Sequence, residues 1–92
     1  MNPTESRNTN VNADDLQSRI LQLLTDVAPD IDPASVQGDV DFRDQFDFDS
    51  MDTLNFAIAL HKAFQIEIPE TDYPKLSSLA KCVRYVAERR NR

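Results

Sequence analysis

The sequence predicts an all-α fold of four helices, three long and one short, with a long loop between the first two. Three observations carry this. Apolar residues recur at helical spacing in three separate stretches, while no β-branched run alternates for long. Pro29, Pro69 and Pro74 punctuate the chain where helices must stop or stay short. Between the first two stretches lie about twenty residues with scattered apolar pins and no helical period.

Positions 1–12 are polar, with Pro3 and several Asn and Thr. They hold too few apolar groups to offset the entropy of ordering and read as a disordered tail. Asn12 suits a helix cap, and Asp15 sits three residues on, an acidic stand-in for the capping-box Glu. Leu16, Ile20, Leu23, Leu24 and Val27 then form one stripe of the first helix, which should end before Pro29. In the loop that follows, Val36, Val40, Phe42 and Phe46 are the expected pins, and Pro33-Ala34-Ser35-Val36 suits a short helical turn.

The second long helix, Met51 to Phe64, carries two apolar stripes at the 100° step of a helix. Phe56, Ala57, Leu60 and Phe64 lie on one side; Met51, Leu54 and Ile58 lie nearly opposite. One stripe must face the core. In a domain this small the other is expected to be a docking surface. Ile66 and Ile68 should pin the next turn inward. Pro74 disfavours helical geometry at Tyr73, so only a short helix fits Glu70-Thr71-Asp72-Tyr73. Ser77 or Ser78 should start the last helix, with Leu76, Leu79, Val83 and Val86 as its stripe and Cys82 at the edge.

Ninety-two residues make one small domain. No apolar stretch is long enough to span a bilayer, and no secretory signal is present. The lone Cys82 excludes an internal disulfide and a site of several thiolates; a reducing cytoplasm fits. The formal charge of -6 argues against nucleic acid as partner. Its acids crowd the middle of the chain, where only Arg43 opposes them, and could steer basic partners. Gly38 is the only glycine, so a Gly-rich phosphate loop is absent. The acid spacing around Asp39 and Asp47 fails the calcium-loop pattern, which needs Gly at the sixth position and Glu at the twelfth.

The chain is organised around Asp49-Ser50-Met51-Asp52. Asp49 is a good N-cap, and Asp52 adds a carboxylate to the first turn. Ser50 sits where backbone N–H groups lack partners and the macrodipole favours negative charge, so a phosphate on its hydroxyl would lie in a favourable field. Local pattern alone favours a simple cap, since capping is far commoner than modification. His61 is the only histidine, and the helix length between it and Ser50 makes a catalytic pair poor. Cys82 lacks an acid or base partner and reads as a packed thiol.

From Asp41 to Val86 the sequence resembles a discrete, bacterial-type acyl carrier protein. The resemblance rests on Phe42, Phe46-Asp47-Phe48-Asp49-Ser50-Met51-Asp52-Thr53, Ala59-Leu60, Phe64, Ile66-Glu67-Ile68-Pro69, Lys75-Leu76, Ser77-Ser78-Leu79 and Tyr85-Val86. It implies an acyl-carrier-like bundle over residues 13–90, with 91–92 as the C-terminal end. It implies no turnover by the chain itself, and 4'-phosphopantetheine on Ser50, attached from coenzyme A by a phosphopantetheinyl transferase. The arm's thiol would hold acyl groups as thioesters. Asp49 would help by approaching the transferase's metal, while the chain itself would hold no metal. The second stripe of the Met51 to Phe64 helix would meet an acyl-loading ligase or synthase and acyl-transfer enzymes. Docking is therefore expected at Met51, Leu54, Asn55, Ile58, His61 and Lys62, on a cytoplasmic monomer that does not insert into membranes. The short third helix is expected to act as a flap over an acyl-binding cleft.

The chain departs from the fatty-acid carrier pattern at Asn55, His61 and Lys62, where that pattern has acids. It has Asp47 for Gly, Phe48 for a small residue and Met51 for Leu. This points to a specialised carrier in a lipid or secondary-metabolite pathway. Met after the serine also occurs in the D-alanyl carrier branch, so a peptidyl or aminoacyl carrier is one alternative. A helical interaction module without prosthetic group is another.

Overall fold

A computed structural model describes residues 13–90. The expected tail, the Asn12 cap and the last two residues lie outside the described residues. The elements are α1 (Ala13–Val27), a 3-10 turn (Pro33–Ser35), the single-turn α2 (Phe42–Gln45), α3 (Ser50–Phe64), a 3-10 helix (Glu70–Leu76) and α4 (Leu79–Arg90). α1 packs on both α3 and α4, and the 3-10 helix closes the remaining side against α4 and α3.

The stripes decide this packing. Leu16, Ile20 and Leu24 are buried along α1, with Leu23 and Val27 half-buried at its margins. Phe56, Ala57 and Leu60 are the buried side of α3, and Phe64 is half-buried where Arg19 and Arg90 both lie over its ring, 4.6 and 5.5 Å from the centroid. Each fully buried aliphatic or Phe side chain contributes at most roughly 1.5–3 kcal/mol before ordering entropy is subtracted.

α4 differs from expectation. Its buried face is Leu79, Cys82, Tyr85 and Val86. Cys82 is central rather than marginal, fully buried, with its Sγ donating to the Leu76 carbonyl at 3.3 Å. Val83 is only half-buried. The expected stripe omitted Tyr85, whose ring adds more apolar area than Val83 and turns the face toward Cys82.

The 3-10 helix also runs further than expected, through Pro74 to Leu76. Proline's fixed φ suits 3-10 geometry, so the turn continues at the loss of one N–H bond.

The long connection is ordered by polar stitching as well as apolar pins. Asp32 caps the 3-10 turn by accepting from the Ala34 N–H at 3.0 Å. The Gln45 amide accepts from the Gln37 N–H at 2.9 Å and donates to the Gln37 and Val40 carbonyls at 2.8 Å each. Phe42 N–H donates to the Ser77 carbonyl, and the Gly38 carbonyl accepts from Ala80 N–H. This last bond, with Ser78 Oγ accepting from Lys81 N–H, satisfies donors that the start of α4 would otherwise leave open. Ile31 and Phe48, which were not among the expected pins, are buried with Phe42, whereas Val36, Val40 and Phe46 are only half-buried.

Candidate functional site

Asp49 begins the site. Its backbone is extended, with φ -103 and ψ -174, and its side chain turns back onto the helix it precedes. Oδ1 accepts from Asp52 N–H at 2.9 Å, and Asp52 Oδ2 accepts from Asp49 N–H at 3.1 Å. This is a capping box with two aspartates. The Asp52 N–H, foremost, holds the Asp49 carboxyl below its ordinary 3.8.

With Asp49 as cap, Ser50 is the first residue of α3. Its side chain is exposed, and its hydroxyl makes no hydrogen bond among the described residues. Capping therefore falls to Asp49 alone and leaves the serine oxygen free.

Beside Ser50 opens a cleft of about 610 Å³. Its near end is Ser50, Thr53 and Leu54 of α3; Phe48 and Phe42 form the floor. Phe42, Phe48 and Phe56 form a cluster of three rings with centroids 5.3–6.3 Å apart, two of the contacts edge-on. The outer wall is Glu70, Tyr73 and Pro74 of the 3-10 helix, and Leu76, Ser77 and Lys81 finish the lining with Asp41 and Arg43. Space of that size and partly apolar lining suits a small or extended apolar ligand.

Among the described residues nothing covers the second stripe of α3. Met51 is 61% exposed, Leu54 39% and Ile58 41%. Asn55, His61 and Lys62 are exposed on the same helix. Leu54 belongs to both features, since it borders the cleft as well. The imidazole of His61 has a structural tie that its sequence position did not show. Nδ1 lies 2.6 Å from the Ile66 carbonyl, which only accepts, so Nδ1 carries the proton. This bond closes α3 across Gln65, whose backbone is left-handed at φ 55.

Sequence reasoning also missed the polar anchor of the outer wall. Asp72 Oδ2 accepts from the Tyr85 hydroxyl at 2.7 Å and from Arg89 Nη2 at 2.6 Å. The sequence offers only Arg84, Arg89 and Arg90 near its end, which name no particular acid.

A family model described as the phosphopantetheine attachment site matches residues 18–86. An acyl carrier protein of Campylobacter curvus is 30% identical over 73 residues, which cover 79% of this chain and 88% of that protein. The chain belongs to the acyl carrier protein family. The carrier of Rubrobacter xylanophilus is 29% identical over 75 residues, covering 78% of this chain and 93% of its own. The mitochondrial acyl carrier protein of Neurospora crassa is 33% identical over 73 residues, or 79% of this chain, and the match spans 54% of that longer protein.

Members of the family are carriers rather than catalysts, and their prosthetic group is 4'-phosphopantetheine. The residues present fit that group. Attachment requires a hydroxyl free of other duties and space for a long arm; Ser50 has an unbonded exposed hydroxyl and a cleft opening beside it. A phosphodiester there would also sit at the N-terminus of α3, where the macrodipole favours it.

Proposed function

We propose that this carrier holds acyl groups on a 4'-phosphopantetheine arm attached to Ser50 and presents them to partner enzymes that dock on α3. When bound, the group supplies a thiol that holds the cargo as a thioester. The observation that supports Ser50 is its free hydroxyl at the first position of α3, one residue past a self-satisfied capping box. Asp49 fixes the helix start and so the direction of the serine. It also leaves a carboxylate at the surface, where a transferase's metal could meet it. A phosphopantetheinyl transferase acting with coenzyme A would modify Ser50, and a ligase or synthase would load the thiol.

The cleft would shelter the acyl chain, with Phe42 and Phe48 as its floor and Tyr73–Pro74 as its wall. Docking would use the uncovered Met51, Leu54 and Ile58, with Asn55, His61 and Lys62 at the rim. The part of His61 left for a partner is the Nε2 edge, since Nδ1 is engaged. A helix face that carries Lys62, Asn55 and His61 in place of acids suits partners less basic than those that an acidic helix attracts, and so a specialised pathway. A lone buried thiol suits a reducing compartment such as the cytoplasm.

The test is intact mass after incubation with coenzyme A, magnesium and a broad-specificity phosphopantetheinyl transferase. The parent should gain one phosphopantetheine and Ser50→Ala none. A folded parent that several transferases leave unmodified would overturn this reading and favour an interaction module built on the α3 stripe.

A further inference from the structure

The weakest wall of the cleft is its outer one. A 3-10 helix has poor hydrogen-bond geometry and rarely exceeds three or four residues. Here it runs for seven, with Pro74 inside it. Its own backbone is therefore a poor source of rigidity. Leu76 is buried and anchors one end. The other half has Asp72.

We propose that Asp72 is a positioning residue that sets the width of the cleft, its carboxylate clasping the 3-10 helix to α4 and thereby fixing the Tyr73–Pro74 wall. This deepens the functional reading above and rests on it only for the identity of the cleft's occupant. Three observations carry the clasp. Asp72 has a side chain only 14% exposed and accepts from Tyr85 and Arg89 at 2.7 and 2.6 Å. Bonds to an ionised acceptor are about twice as strong as neutral ones. The two donors are themselves assembled on α4, where Arg89 lies 4.9 Å over the Tyr85 ring and that ring is buried. Lys75, 3.6 Å away on the same 3-10 helix, adds charge without tying the helix to anything else.

The geometry links clasp to wall. With three residues per turn, Asp72, Tyr73 and Pro74 point in three directions about 120° apart. Asp72 faces α4, while the next two residues, Tyr73 and Pro74, line the cleft. Withdrawing the carboxylate removes the polar tie to α4 and leaves that wall held only by the packing of Leu76 and Tyr73 against the core. A bulkier acyl chain must therefore displace Tyr73 against the clasp, and the clasp selects for slimmer chains.

The experiment has two arms. Amide exchange is followed by mass spectrometry on unmodified parent, Asp72→Ala and Tyr85→Phe, the last keeping the ring should the first fail to fold. Exchange at 70–76 should rise by about tenfold in Asp72→Ala and less in Tyr85→Phe, with α1 and α3 unchanged. No change at 70–76, or an equal rise throughout the chain, would overturn the clasp. In the second arm, modified protein carries a polarity-sensitive naphthalene fluorophore on the arm. Asp72→Ala should shift its emission to the blue as the wider cleft admits it. Unchanged emission beside a local rise in exchange would reject control of cleft width. The first arm needs no modification, so it stands or falls separately from Ser50.

Discussion

The ring of Phe48 lies 5.3 Å from that of Phe42, tilted by 51°, and both rings face the cleft that opens beside Ser50. The position just before Asp49 is thus filled by a large aromatic side chain. Phe48→Ala should therefore lengthen the cleft while costing about 3 kcal/mol, the low end for Phe→Ala, because Phe48 sits at the core's edge. Urea unfolding would give the cost, and a longer sheltered acyl chain would show the gain. Phe56→Ala, in the centre, should cost roughly 3–5 kcal/mol and threaten folding outright.

The Asp72–Tyr85 pair makes stability depend on pH at both extremes. Acceptance from the Tyr85 hydroxyl, foremost, holds the Asp72 carboxyl below its ordinary 3.8. Its contribution is present above that value and is lost as pH falls through the depressed one. Burial, and then Asp72, push the Tyr85 phenol from 10.0 up to about 12. That contribution is whole below pH 10 and disappears as pH rises toward 12. The stability difference between parent and Tyr85→Phe should thus be flat from about pH 5 to about 9 and shrink above about 10. Denaturant midpoints across that range check it; a difference that grows with alkali would refute the assignment.

Cys82 should be silent toward thiol reagents. Burial pushes its thiol well above the ordinary range, and its Sγ already donates to the Leu76 carbonyl. Native unmodified protein should titrate no thiol, and modified protein one, from the arm. Denaturation should add one more in each case. Cys82→Ala should cost about 1–2 kcal/mol by lost packing.

The uncovered α3 stripe should be separable from the fold. Met51→Glu and Ile58→Glu should change stability by no more than about 0.5 kcal/mol, since neither position is buried. Acyl transfer to a docked enzyme should nonetheless weaken, read as a raised KM for the carrier. Unaltered KM in both variants would remove this face from the docking surface.

What the sequence made legible follows from period. Leu16, Ile20 and Leu24 announce the inward side of α1, and the two faces of α3 separate cleanly by angle. The Asp49 cap was legible as well, because caps obey local rules. Contacts between elements distant in sequence were not. Nothing in the spacing of Asp72, Tyr85 and Arg89 says that they meet, since their bonds depend on how the 3-10 helix lies on α4. Cys82 was misplaced for a related reason: Tyr85 has an ambiguous preference for the interior, and counting it moves the centre of the buried face. Phe48 was not read as a buried pin because a loop has no period from which to read a direction.

The Gln45 amide offers both hydrogens to carbonyls and its oxygen to an N–H. This pattern admits only one orientation of the group and no carboxylate in its place. Hydrolysis to glutamate would swap a nitrogen for an oxygen and point like dipoles at Gln37 and Val40. The span from Gln37 to Gln45 lies just ahead of the capped start of α3, so an ageing reaction at one inconspicuous side chain would slacken the approach to Ser50 while every helix stayed intact.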